Sequence, residues 1–181
     1  MTDAPWRFDA SAGELLLHTG VTGRAAKMGH RLTIAMTDWE ATVVWTDGHP
    51  ATAALTVAVD SLQVLRGEGG VTPLSTPEKT LIRSNALKCL RADRYPTIRF
   101  EAEDVITAGD GYRLAGPLTI CGRTRRHELD VHLDEADDPS RLHSETEVRH
   151  SDYEIKAYSL LMGTLKVADP VALTFTAVRR R

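Results

Sequence analysis

"YRLAGPLTICGRTRRHEL", residues 112–129, alternates apolar and polar side chains twice, and its apolar phase inverts across Gly122-Arg123-Thr124. On the first side Tyr112, Leu114, Leu118 and Ile120 take even positions, interrupted at Gly116, while Arg113, Thr119 and Arg123 take odd ones. Beyond the break Leu129, Val131 and Leu133 are odd, with Glu128, Asp130, His132 and Asp134 between them. Successive side chains of a strand point to opposite faces, so each run has one apolar face and one wet face. A hairpin then sets both apolar rows on one side of an antiparallel sheet. The turn is not Asn-Gly, which predicts a longer or bulged loop around Gly122.

The same period of two recurs along the chain. "HRLTIAM" puts Leu32, Ile34 and Met36 on one face, and "WEATVVW" does so for Trp39, Ala41, Val43 and Trp45. "ATAALTVAV" aligns Ala53, Leu55, Val57 and Val59, "TIRFEAE" aligns Ile98, Phe100 and Ala102, and near the C-terminus Val171, Leu173, Phe175 and Ala177 alternate with polar or small residues. With "GELLLH" at 13–18 and a weaker segment at 142–150, about eight or nine strands result, joined mostly by short turns. An all-β antiparallel barrel or sandwich follows, rather than parallel units with crossover helices.

One segment departs from the pattern. "STPEKTLIRSNALKCL", 75–90, offers Ser75 or Thr76 as a cap, Pro77 in the first turn, an early Glu78, and a stripe of Ile82, Ala86, Cys89 and Leu90. The spacing predicts a helix over 77–90 that packs Ile82, Ala86 and Leu90 against the barrel and covers one end or a channel mouth. "RGEGGVTPL", 66–74, before it reads as a Gly-rich loop, and a shorter helical turn fits 157–162, ahead of Gly163.

Composition narrows the function. A chain of 181 residues suits one domain, spanning 1–181, and a net charge of -3 gives no reason to expect nucleic acid. Arg179-Arg180-Arg181 is the only basic run and is too short for a lipid-headgroup site. No window approaches the roughly eighteen apolar residues of a membrane span. The first residues, "MTDAPWRFDASAGELLLHTG", lack the basic and apolar regions of a secretory signal, so a cytoplasmic chain is expected. Cys89 and Cys121 read as two buried free thiols.

Catalytic signatures are thin. In "HELDVH", His127 and His132 are five apart and would face opposite sides of a strand, unlike the i, i+4 pair of a zinc helix. His18, His30, His143 and His150 would converge only through the fold. "RGEGG" lacks the Lys-Ser or Lys-Thr of a phosphate loop, no Ser elbow occurs, and Glu101 and Glu103 sit on a polar strand face. No catalytic residue and no metal ligand is expected, and no cofactor is required.

Four blocks carry a resemblance: "GRAAKMGHRLTIAMTDWEATVVW" (23–45), "DRYPTIRFEAE" (93–103), "YRLAGPLTICGRTRRHELDV" (112–131) and "HSDYEIKAYSLLMGTLKVADPVALTFTA" (150–177). In order and spacing they resemble the YceI-like family of polyisoprenoid-binding proteins, over nearly the whole chain. The resemblance implies an extended, lipocalin-like antiparallel barrel of about eight strands with the helix inserted. Its hydrophobic channel would hold an isoprenoid chain, as a polyisoprenoid or the tail of an isoprenoid quinone. Many relatives are exported, whereas this N-terminus shows no leader.

On this reading the inward rows are Leu32, Ile34, Met36, Val43, Trp45, Leu55, Val57, Val59, Ile98, Phe100, Leu114, Leu118, Ile120, Leu129, Val131, Leu173 and Phe175. His30, His150, Lys156 and Tyr158 are candidate headgroup contacts; the alternative is that they are ordinary turn and surface residues. Buried methylenes contribute about 0.8 kcal/mol each, so two isoprene units would supply most of a micromolar affinity before ordering costs. A ligand held by shape and area leaves no catalytic motif. Two other readings stay open: a scaffold or stress-response interaction protein with a filled barrel core, and a His-based metal protein or enzyme. A homodimer is the expected assembly.

Overall fold

Residues 4–136 and 139–179 are described by the computed structural model, and nearly all of the alternating segments become strands. β1 (Trp6–Asp9), β2 (Gly13–Thr22), β3 (His30–Met36), β4 (Trp39–Thr46), β5 (His49–Ala58) and β6 (Leu62–Gly69) precede the helix α1 (Thr76–Cys89). Then come β7 (Thr97–Ala102), β8 (Asp104–Ala108), β9 (Gly111–Ile120), β10 (Arg123–Asp134), β11 (Ser140–Arg149), β12 (Ser159–Leu160) and β13 (Leu165–Arg179). They form one antiparallel 13-stranded sheet in the order β1-β4-β5-β7-β9-β10-β11-β13-β2-β3-β6, with β8 beside β9 and β12 beside β13. The sheet curls on itself, so that Trp39 of β4 meets Phe175 of β13 edge to face at 5.1 Å. Phe8 of β1 and Leu15 of β2 share one buried cluster with Ile34, Met36 and Leu62. Among the described residues no pairing joins β1 to β6, so this lipocalin-like barrel has a seam.

The strand count exceeds the expected eight because four strands carry weak signals. β1 and β12 are very short, and β8 is five residues long. β6 corrects the loop reading of 66–69: Leu32 pairs with Gly67 and His30 with Gly69, so the loop begins only after Gly69. The expected helical turn at 157–162 is instead β12 followed by a 3-10 turn, Leu161–Gly163.

The opening hairpin departs from expectation at its turn. Ile120 pairs directly with Arg123, leaving a tight two-residue loop in which Cys121 and Gly122 both have positive φ, 49° and 71°. This left-handed pair matches the right-handed twist of the strands, and glycine adopts it freely. Cysteine does not, at a cost of roughly 1 kcal/mol. Its thiol offsets that by donating to the Leu90 carbonyl at 2.8 Å. Gly116, the gap in the apolar row, stands where β9 changes partner from β8 to β7: a Cβ there would lie 1.9 Å from the Glu101 carbonyl oxygen.

Ser75 caps α1 in a complete capping box, accepting from the Glu78 amide while the Glu78 carboxylate accepts from the Ser75 amide at 2.7 Å. Ala86 and Leu90 pack on the core cluster. On the flank, Lys79 Nζ donates to the Leu65 carbonyl at 2.9 Å and Arg83 Nε to that of Leu62 at 2.8 Å, and the Arg83 guanidinium also reaches the carbonyl of Asp60. The helix therefore supplies side-chain donors to the edge of β6, whose other side pairs with β3. At the C-terminus Arg179 lies over the Trp6 ring at 4.1 Å, and Arg180 and Arg181 lie outside the described residues.

Candidate functional site

Inside the curl lie two cavities that follow one another along the barrel. On β9, Tyr112 and Leu114 line a narrow chamber of about 170 Å³, Ile120 lines a wide one of about 520 Å³, and Leu118 faces both. Leu15, Leu55, Val148 and Leu173 are likewise shared walls. Of the rows expected to face inward, Val43, Trp45, Phe100, Leu114, Leu129, Val131 and Phe175 line the narrow chamber. Leu32, Ile34, Met36, Val57, Ile98 and Ile120 line the wide one, and Leu55, Leu118 and Leu173 both. Val59 is buried but lines neither, because β5 ends at Ala58 and the chain enters a 3-10 turn, Val59–Ser61.

The narrow chamber is apolar although polar residues stand in its wall. Ser144 donates to the Asp130 carbonyl at 2.7 Å, and His127 Nε2 and Thr146 Oγ1 share a hydrogen bond of 2.8 Å. These groups satisfy one another and leave hydrocarbon facing the cavity. Burial holds the His127 imidazole below its ordinary pKa of 6.5, favouring the neutral ring. Trp6 and Trp45 stack tilted at 4.4 Å, with Tyr112 edge-on to Trp45 at 6.2 Å, so an aromatic group lines this chamber.

The wide chamber lies under α1, which contributes Glu78, Ile82, Asn85, Ala86 and Cys89 to its wall. Burial raises the Cys89 thiol pKa, so the group stays protonated. β2 and β3 pair only at Leu15–His18 against Thr33–Met36; beyond that they splay, and the Thr19 hydroxyl takes over the Leu32 amide at 3.1 Å. Met28, Leu81, Tyr158 and Leu160 line this chamber while remaining substantially exposed, so it opens to solvent between them.

Three of the four candidate headgroup contacts are at this mouth. His30, His150 and Tyr158 line the wide chamber, whereas Lys156 is exposed and outside it. Each histidine already donates to a main-chain carbonyl: His30 Nε2 to Thr72 at 2.6 Å and His150 Nδ1 to Asp169 at 2.8 Å. These bonds set the tautomers and leave one ring nitrogen of each for a ligand. Sequence reading missed Arg149, Lys166, Glu78 and Asn85, which also line the chamber. Lys166 pairs with Thr22 of β2 and stands between Leu165 and Val167, which line the same chamber, on a position that period-two counting assigns to solvent.

His18 Nε2 and Thr174 Oγ1 share a hydrogen bond of 3.1 Å, and His143 stacks on His132 at 6.5 Å, on alternating positions that point away from the cavity rows. Among the described residues no group of three or more His, Cys, Asp or Glu side chains is placed to hold a metal ion. No helix among them is long and apolar enough to cross a membrane.

A curled antiparallel sheet that encloses two apolar chambers, with the Glu, Arg and Lys side chains of their walls all in the wide one, is a fold of the lipocalin-like class. The model of the YceI-like domain matches residues 6–178, and the chain belongs to that family. Among solved structures, BcnA of Burkholderia cenocepacia aligns with a TM-score of 0.71 at 18% identity, covering 94% of this chain and 98% of its own. A Campylobacter jejuni YceI protein aligns with a TM-score of 0.61 at 12% identity, covering 82% of this chain and 84% of its own. At these identities the likeness is one of fold. No curated protein matches the chain.

Proposed function

We propose that this protein binds a long apolar lipid of the isoprenoid type, a polyisoprenoid or an isoprenoid quinone, with no chemical step. The chain lies along both chambers, its end in the narrow one and its headgroup at the mouth near His30, His150 and Tyr158. The observation that carries this reading is the pair of end-to-end apolar cavities sharing Leu55, Leu118 and Leu173 as walls. A filled-core scaffold would have no such space. A chamber of 520 Å³ falls in the range of ligand sites, roughly 300–1,000 Å³, and the narrow extension suits a chain end.

The test is organic extraction of the purified protein followed by mass spectrometry, with uptake of a long-chain prenol by stripped protein as a second readout. A co-purifying prenyl lipid, or saturable prenol uptake, is expected. Leu118→Trp, which narrows the shared wall, should cut uptake at least tenfold in a protein that still folds, whereas His30→Ala and Tyr158→Phe should weaken it only several-fold, the effect of one lost hydrogen bond. No extractable lipid together with no uptake, or uptake indifferent to Leu118→Trp, overturns the reading.

A further inference from the structure

The large apolar side chains that face solvent are concentrated at one end of the barrel. Met28 sits on the 3-10 turn between β2 and β3, Val71 on the loop after β6, Leu81 on α1, and Leu160, Leu161 and Met162 on the turn before β13, all exposed. Two hydrogen bonds and one close backbone approach draw these segments together around the mouth of the wide chamber. The Ala25 amide donates to the Thr164 carbonyl at 2.9 Å, His30 binds the Thr72 carbonyl, and a Cβ at Gly29 would touch Val21 and Leu165. Leu161 and Met162 both have positive φ, 51° and 56°, and Met162 is fully exposed at the tip of its turn.

The charge of this rim opposes that of the whole chain. Residues 23–31, 70–81 and 156–167 carry Arg24, Lys27, Arg31, Lys79, Lys156 and Lys166 against one carboxylate, Glu78, on a chain of net charge -3. The adjoining Glu68 is approached by both Arg31 and Arg66, at 3.8 and 3.9 Å. Separate apolar tips standing among cations are the chemistry that seats on an anionic bilayer, where tips enter the acyl boundary and cations meet headgroup phosphates. A second copy of the chain is a poorer occupant, since a two-fold contact would set this cationic rim against itself.

We propose that the mouth of the wide chamber is a membrane-docking surface that seats reversibly on an anionic lipid bilayer. Docked this way, the split between β2 and β3 and the mouth beneath α1 face the acyl region, and an apolar chain passes between bilayer and cavity without crossing water. The purpose of docking rests on the proposed lipid cargo; the docking itself does not.

The experiment is flotation of the full chain with phosphatidylcholine vesicles, with and without phosphatidylglycerol, at low and high salt, with lipid extraction of the same samples. Binding to the anionic vesicles alone, weakened by salt, is expected. Leu161→Ser with Met162→Ser, and separately Arg24→Glu with Lys27→Glu, should each lower vesicle partitioning by roughly tenfold or more. None of these four residues lines either cavity, so co-purifying lipid should be unchanged. Absence of wild-type flotation, or both double variants floating like wild type, overturns the proposal. So does a rim variant that turns a dimer into a monomer while vesicle binding persists, for the rim would then be a self-interface. Docking as expected with no lipid in any sample leaves the docking surface standing and defeats the cargo reading.

Discussion

Cys121 and Leu90 join the β9–β10 turn to the end of α1 through a thiol-to-carbonyl hydrogen bond of 2.8 Å. Beside it Tyr95, with Arg91 and Arg94 over its ring at 5.0 and 5.4 Å, packs where a Cβ at Gly122 would fall. The helix that walls the wide chamber is thus tied to the hairpin that walls both. Cys121→Ala removes the donor and leaves the left-handed backbone strain, held only by the longer bond from the Arg91 guanidinium to the Cys121 carbonyl at 3.4 Å. It should cost about 1 kcal/mol by chemical denaturation. Hydrogen exchange of the amides at 86–90 should quicken, and prenol uptake should become faster.

The cap at the other end of α1 sets a second expectation. No residue of this helix is fully buried, so its N-terminus depends on Ser75 and Glu78. Ser75→Ala should destabilise the helix by about 1 kcal/mol, read as faster exchange of its first-turn amides with little change elsewhere. The Ser75 hydroxyl and amide hold the Glu78 carboxyl below its ordinary 4.5. A lowered carboxylate contributes stability above the unfolded value that is lost as pH falls through the folded one. First-turn protection should therefore decline below about pH 4.5 in wild type and less in Ser75→Ala.

How far the fold could be read depended on how each residue signals its place. The rows Leu32-Ile34-Met36 and Leu129-Val131-Leu133 were legible because a half-buried strand has a strict period of two, and a one-residue slip would expose the whole row. β6 was not, since Gly67 and Gly69 read as turn punctuation although Leu62 and Val64 keep the alternation. The Cys121-Gly122 turn was missed because cysteine does not advertise positive φ; its stabilising partner, Leu90, is distant in sequence. Cavity and filled core were indistinguishable, for the same Leu, Val and Ile either line a space or occupy it. Among headgroup candidates His30, His150 and Tyr158 reached the mouth and Lys156 did not, while Lys166, on a position that period-two counting assigns to solvent, lines the chamber.

Trp39 offers a test of core packing apart from the cavities. It is almost wholly buried against Phe175, and its Nε1 has no hydrogen-bond partner among the described residues. Trp39→Phe loses ring volume but also removes an unsatisfied donor, and should cost no more than about 2 kcal/mol. Trp39→Ala leaves a void and should cost about 3–5 kcal/mol. Equal losses in urea unfolding for the two variants would mean that the indole donor is paired after all.

His127 makes stability depend on pH in a range where the carboxylates do not. Its ring lies in the wall of the narrow chamber, edge-on to Phe100 at 6.3 Å, and burial lowers its pKa from 6.5. The unfolded chain therefore binds this proton at a higher pH than the folded one. Between 6.5 and the lower folded value the unfolded state holds more protons, so stability falls as pH falls through that window and is complete above it. The carboxylates with lowered pKa, Asp9, Asp110, Asp130 and Asp169 from 3.8 and Glu78 from 4.5, act only at more acid pH. His127→Gln keeps an amide to bond with Thr146 but cannot titrate. Urea midpoints measured from pH 7.5 to 5 should drop for wild type and stay flatter for His127→Gln, with the two curves closest at the acid end. The proton also enters the chamber wall, so acid should loosen a bound prenol in wild type more than in the variant. Parallel curves across the window would show that His127 titrates at its ordinary value and that the narrow chamber is wetter than its geometry implies.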